Sequence, residues 1–324
     1  MRRSLALIAI AVAACGPGER PSAVTLTPSR PAATAASSPA PLAWRRLADI
    51  PTPRSEVAAA VFRGTIFVVG GLGGGNVVET FAGDRWSAGA RYPLAVDHAM
   101  AAAIDTPGTP GLYVFGGNVG GGATARSFRC CVEQRWQEIA PMPGPRAQGG
   151  AVAIDAKIYI VGGANTDRLV SPTYVYDSAT DRWTTAAPIP TPRDHLGAAA
   201  LGARVCAVGG RRLSLLQNLA TFECYDPSAD TWQPMPSAPT ARGGIGAASV
   251  NGRFFVVGGE QPLGTFKEVE IFDPAAGTWS RAPDLPTSRH GLGVVALGGT
   301  LFVMSGGPTP GGSQTAVCEA LDVR

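Results

Sequence analysis

All three histidines of this 324-residue chain fall within copies of one short turn. His98 follows Asp97, His195 follows Asp194, and His290 follows Arg289. Arginines recur in the same turn, as Arg54, Arg146, Arg193, Arg242 and Arg289. Random placement would not gather these types so tightly. Guanidiniums drawn to one mouth would form an electropositive ring suited to an anionic or polar ligand. Imidazoles beside carboxylates also allow a metal or catalytic site. However, His98 and His195 belong to different copies of the turn and need not come within metal-ligand reach. We therefore assign Arg54, Arg146, Arg193, Arg242, Arg289, His98, His195, His290, Asp97 and Asp194 to ligand binding, and expect neither metal nor cofactor.

The elements that position this turn are read from spacing. Ile189–Gly210 shows the unit most clearly: a Pro-rich turn, Arg193, a small-residue strand, a tight turn, a second apolar strand and a Gly pair. Arg54 to Gly70, Arg146 to Gly162, Arg193 to Gly209, Arg242 to Gly258 and Arg289 to Ser305 are each 16 residues apart. The remaining copy, Val96 to Gly116, spans 20 because Thr106-Pro107-Gly108-Thr109 is inserted. After each Gly pair comes a loop, then a strand ending in an acidic turn, then a Trp. Asp177 to Trp183, Asp226 to Trp232 and Asp273 to Trp279 are all 6 residues apart. The first copy, Val78 to Trp86, has a shorter turn, and the second, around Cys130-Cys131 and Trp136, is degenerate.

Four short strands in a period of 42 to 50 residues are what a propeller blade requires. The Gly pair, the aromatic-acidic strand end and the spaced Trp resemble the kelch repeat over about Trp44 to Arg324. That resemblance implies an all-β, six-bladed kelch-type β-propeller. The last unit stops at its acidic strand, Cys318–Arg324, while Trp44–Pro51 is a Trp strand with no unit before it. The two halves should complete one blade and remove a free sheet edge. Inner strands such as Ala58-Ala59-Ala60 and Ala198-Ala199-Ala200 are small because they crowd the axis. The six Trp side chains are expected between blades, each worth at most about 4–6 kcal/mol of burial.

Up-and-down connectivity places the arginine turn and the loops after the Gly pairs on one face, nearest the axis. In kelch blades such Pro-Arg turns often bond backbone carbonyls, so a structural role competes with ligand binding. The chain thus reads as a module binding a protein or carbohydrate. The alternative is a sugar-acid-processing enzyme similar to the sialic acid mutarotases, which would recruit Arg193, Arg242, Arg289, His195 and Glu56. The Asp-to-Trp turn is one residue longer than a sialidase Asp box, and no copper-ligand set like that of galactose oxidase is recognisable.

Charged residues make up 16% of the chain, which excludes a basic nucleic-acid binder and a disordered acidic one. Residues 1–14 have the layout of a signal peptide: Arg2-Arg3, an apolar run, then Val12-Ala13-Ala14 before Cys15. This resembles a bacterial lipobox, with Val12 in place of the commoner Leu, and implies lipidation of Cys15. Residues 15–43 are rich in Pro, Ala, Ser and Thr and read as a tether. The propeller is assigned to 44–324. A monomer is expected in the cell envelope, outside the cytoplasm, with the arginine face directed away from the membrane. Cys206 and Cys224 fall on neighbouring strands and could bridge in an oxidising compartment.

Overall fold

A computed structural model describes Gly16 and residues 42–323, apart from Val132 and Gln134. The expected signal peptide, Cys15 and most of the expected tether lie outside the described residues. Residues from 42 onward form six four-stranded antiparallel sheets. From the axis outward, the fourth blade holds Gly197–Leu201, Arg204–Val208, Phe222–Asp226 and Thr231–Met235. The other five repeat this plan. The last blade has Gly293–Leu297, Thr300–Met304 and Cys318–Asp322, and its outermost strand is Trp44–Arg46. Trp44 pairs with Leu321 and Arg46 with Glu319, so the ring is closed as the chain ends suggested.

Close approach at the axis explains the small residues there. A Cβ on Gly197 would lie 2.8 Å from the Cβ of Ala247, and one on Gly293 would lie 2.9 Å from the Cβ of Ala59. These inner strands therefore begin against the side chain of the next blade's inner strand. Six apolar clusters fill the space between adjacent blades. Outside them runs a belt of indoles. Trp86, Trp136, Trp183, Trp232, Trp279 and Trp44 each donate Nε1–H to a carbonyl of the preceding blade, respectively Ala48, Ala90, Ala140, Ala187, Pro236 and Pro283. The donor–acceptor distances run from 2.7 to 3.0 Å. The indoles pack between blades but remain partly exposed, so each falls short of the full-burial figure.

The arginine column is interior to the blades. Arg54, Arg146, Arg193, Arg242 and Arg289 are 0–1% exposed, and their guanidiniums turn back along the second strand. Arg54 meets Glu79 at 2.7 Å, Arg193 meets Glu223 at 2.5 Å, Arg242 meets Glu270 at 2.9 Å and Arg289 meets Glu319 at 2.5 Å. Each also donates to backbone carbonyls, as Arg193 does to Thr191 and Ala207. In the third blade Tyr174 stands where the others carry Glu, and the Arg146 guanidinium lies 4.1 Å from its ring centre. In the second blade both members are apolar, Val96 and Phe128, packed in one cluster. This corrects the expected arginine ring: the guanidiniums clamp each turn to its own blade and present no charge at the mouth.

Candidate functional site at the axial mouth

The clamp fixes the residue two places after the arginine, which forms the innermost ring of the mouth. Blade by blade this position is Glu56, His98, Gln148, His195, Gly244 and Gly291, all with positive φ between 52° and 66°. Their backbones bond in succession: His98 N to Glu56 O (2.9 Å), Gln148 N to His98 O (3.0 Å), His195 N to Gln148 O (2.8 Å), Gly244 N to His195 O (2.9 Å) and Gly291 N to Gly244 O (2.8 Å). Val57 N closes the circuit on Gly291 O at 3.4 Å. Left-handed backbone costs a non-glycine residue on the order of 1–2 kcal/mol. Two of the six positions are glycine, as the backbone favours. The other four hold a carboxylate, an amide and two imidazoles.

Glycine at position 291 also makes room. A Cβ there would lie 2.6 Å from Cδ of Glu56, whose carboxylate leans across the axis. Glu56 Oε2 stands 3.3 Å from His98 Nε2, and Oε1 stands 3.5 Å from His290 Nε2. His98 Nε2 and His195 Nε2 are 3.2 Å apart, with their rings edge to face at 81°. The repeats therefore bring together two imidazoles that spacing alone left apart. His98 Nδ1 is 2.6 Å from Asp97 Oδ1, and His195 Nδ1 is hydrogen-bonded to Asp194 Oδ1. Asp194 Oδ2 accepts from Leu213 N at 2.7 Å, and its Oδ1 faces Arg211 Nε at 3.5 Å. Arg211 then reaches Glu260 at 2.6 Å, and Glu260 Oε2 lies 3.6 Å from His290 Nε2. Glu56, His98, His195, Asp194, Arg211, Glu260 and His290 thus form a closed circuit of ionisable groups.

Burial and charge act on these groups in opposite directions. Burial alone would raise the Glu56 carboxyl, but the facing His98, His195 and His290 rings and Arg211 hold it below the ordinary range. Burial lowers His98, yet Glu56 and Asp97 outweigh it and set that imidazole above its usual value. For His195 burial dominates over the Asp194 hydrogen bond, so its value falls. Burial raises Asp97, but the bonds from His98 and from Asn118 Nδ2 bring it below the ordinary carboxylate range. Burial and neighbouring charge thus shift the two imidazoles in opposite directions, His98 up and His195 down. The ring nitrogens of His290 face the carbonyls of Gly307 (3.0 Å) and Gly311 (2.8 Å).

Above the ring opens a recess of about 540 Å³ whose lining includes Glu56, His98, Gln148, His195, Arg211 and Glu260. Below it lies a chamber of about 80 Å³, lined by all six residues of the ring position. Of the predicted residues, His98, His195 and Asp194 line the recess, and Asp97 backs His98. The five arginines are enclosed in the blades. Arg211 and Glu260 were not among the predicted residues. Both stand immediately after a Gly pair, a column that also holds Leu72, Asn118, Ala164 and Gly307, each bridged to the residue after the arginine position. Aligning the units on that column would have shown charge in only two of six copies.

Six four-stranded sheets closed around an axis, with a polar recess at one mouth, define a six-bladed β-propeller built from sequence repeats. Residues 97–307 match the model of the KLHDC2/KLHL20/DRC7 Kelch-repeats domain, and the chain belongs to that kelch-repeat family. It is 28% identical over 148 residues to Kelch-like protein 41a of Danio rerio, covering 43% of this chain and 24% of that protein. Over 136 residues it is 29% identical to Beta-scruin of Limulus polyphemus, covering 38% of this chain and 14% of that protein. The match thus spans a quarter or less of these curated relatives. The solved structure titled "Structure of YjhT" superposes with a TM-score of 0.73 at 17% identity, covering 84% of this chain and 95% of that one.

Proposed function

We propose that the protein is a lipid-anchored, extracytoplasmic kelch propeller that binds a polar ligand, a glycan or glycan-bearing protein, in its axial recess. The observation that carries this reading is the ring itself. Four strained backbone positions hold Glu56, His98, Gln148 and His195, where the same turn elsewhere accepts glycine. Strain kept at one mouth, beside buried Arg211, Asp194 and Glu260, is the arrangement expected of a preorganised polar site. Carboxylates, an amide and a guanidinium suit recognition of hydroxyl groups. Exposed Leu213 and Leu216, in the loop after Arg211, and Leu263, in the loop after Glu260, add apolar surface for a macromolecular ligand.

The cell-envelope placement rests on the signal-like residues 1–14 with Cys15 and on the Cys206–Cys224 disulfide. These two cysteines are direct cross-strand partners, and such bonds persist in oxidising compartments. Trp44 begins its strand at the end opposite the recess, so a tether running to Cys15 would leave the mouth facing away from the membrane. A glycan array and a sugar-acid panel, comparing wild type with Arg211→Ala and Glu260→Gln, test the reading. Tenfold or greater loss of binding in both variants is expected, at about 1.4 kcal/mol per decade. Unchanged binding by both would sink it. A second reading, sugar-acid processing, is favoured by the Glu56–His98 contact at 3.3 Å, a carboxylate–imidazole pair suited to proton transfer. Anomeric exchange followed by NMR, absent in Glu56→Gln, would select that reading.

A further inference from the structure

The contact between His98 and His195 poses a chemical problem. Asp97 and Asp194 are both committed as acceptors: Asp97 Oδ1 takes Asn118 Nδ2–H at 2.9 Å, and Asp194 Oδ2 takes Leu213 N–H at 2.7 Å. Each His must therefore donate Nδ1–H to its aspartate, which leaves both Nε2 atoms as lone pairs. Those two atoms face each other at 3.2 Å, with Glu56 Oε2 at 3.3 Å from the first. Three electron-rich atoms converging on one point need a positive centre between them. A proton can serve two of them at a time. A metal ion can serve all three.

We propose that Glu56, His98 and His195 form a site for a divalent transition metal, best matched by zinc. Three observations support it. Two ligands about 2.0–2.1 Å from one tetrahedral ion lie about 3.3–3.4 Å apart, which matches both measured separations. Carboxylates on the far ring nitrogens, Asp97 and Asp194, supply the outer hydrogen bonds that orient metal-bound histidines. All three ligands also sit at one repeat position on a hydrogen-bonded backbone ring, so the set is held before any ion arrives. Imidazole and carboxylate donors favour zinc over calcium or magnesium, which prefer all-oxygen cages. Glu260 and His290 also lie near Glu56, but both His290 nitrogens already face backbone carbonyls, Gly307 O at 3.0 Å and Gly311 O at 2.8 Å. Three protein ligands would leave a fourth position open, and all three residues line both the recess and the chamber.

The chain has only three histidines, so removing His98 and His195 leaves one imidazole in the whole protein. Equilibrium dialysis of the untagged protein against micromolar zinc, with metal content measured and no sugar present, gives a direct reading. One zinc per chain is expected, and magnesium at the same concentration should not displace it. His98→Asn and His195→Asn should abolish binding, and Asp194→Asn should weaken it about 10- to 100-fold. Cobalt substitution should give the intense visible absorption of a tetrahedral site in wild type only. Wild type without zinc at these concentrations, or a His98→Asn/His195→Asn double variant that retains it, overturns the inference. The wild-type result needs no variant to fold, and neither outcome bears on whether glycans bind.

Discussion

At the scale of single residues, the clearest lesson is the exchange between charge and apolar packing along one column of the repeat. Four blades bury an Arg–Glu pair at 0–1% and 1–5% exposure, and the second blade fills the same two positions with Val96 and Phe128. Removing one partner of a buried pair leaves an uncompensated charge, at a cost of about 3–5 kcal/mol, whereas replacing both with apolar residues is often neutral. Arg242→Val and Glu270→Phe should therefore each lower stability by about 3–5 kcal/mol, and the double variant should recover most of that loss. Chemical denaturation of all four proteins checks this. A double variant as unstable as the two singles combined would refute the exchange. The same column shows why the site was only half legible. Spacing fixes where a Cα stands in a repeat but not which way a long side chain turns, and the arginines turn inward. The signal lay one strand away: Glu79, Glu223, Glu270 and Glu319 accompany arginine, and Val96, the one non-arginine, is accompanied by Phe128.

At the scale of elements, the outer turns tie each blade to the one before. Asp230 Oδ1 accepts from Ala187 N and from Tyr225 Oη, both at 2.8 Å, while Trp232 donates to Ala187 O at 3.0 Å. Asp181 and Trp183 hold Ala140 in the same way. The Ala187 N–H first, and the Tyr225 hydroxyl second, hold the Asp230 carboxyl below the ordinary carboxylate range. A depressed folded-state value means the contribution is present above the unfolded value, about 3.9, and is lost as pH falls through and below it. Melting temperature should therefore drop between about pH 5 and pH 3 more steeply in wild type than in Asp230→Asn. Parallel curves would remove this role. Blade elements were well legible because each is a short strand bounded by Gly, Pro or Asp turns. Even the degenerate second blade keeps its ladder, since Ser127–Cys130 pairs with the wholly buried Gly111–Phe115.

At the scale of the whole molecule, closure depends on one short strand. Besides Trp44–Arg46, the incoming chain bonds Leu47 N to Cys318 O at 2.9 Å and Ile50 N to Ala316 O at 3.0 Å, and buries Leu47 and Ile50. A chain beginning at residue 52 would lose the burial of those two side chains, about 3–6 kcal/mol, and expose Cys318–Asp322 as a free edge. Lower melting temperature and self-association in analytical ultracentrifugation are expected. A stable monomer would show that the ring holds without its clasp. Closure was legible because the leftover Trp strand and the missing one are complementary. The mouth chemistry was not, since it depends on residues from different blades meeting across the axis.

The clasp has a consequence in time. Residues 44–50 leave the ribosome early, yet the strand they pair with begins 272 residues after Arg46. At about 5–20 residues per second, that interval is about 15–55 s. Throughout it Leu47 and Ile50 have no place to bury, while the blades between can form in order. Ring closure thus waits on residues 318–322, the strand that Trp44–Arg46 pairs with. Any factor that occupies residues 44–50 during that wait would decide when the ring shuts.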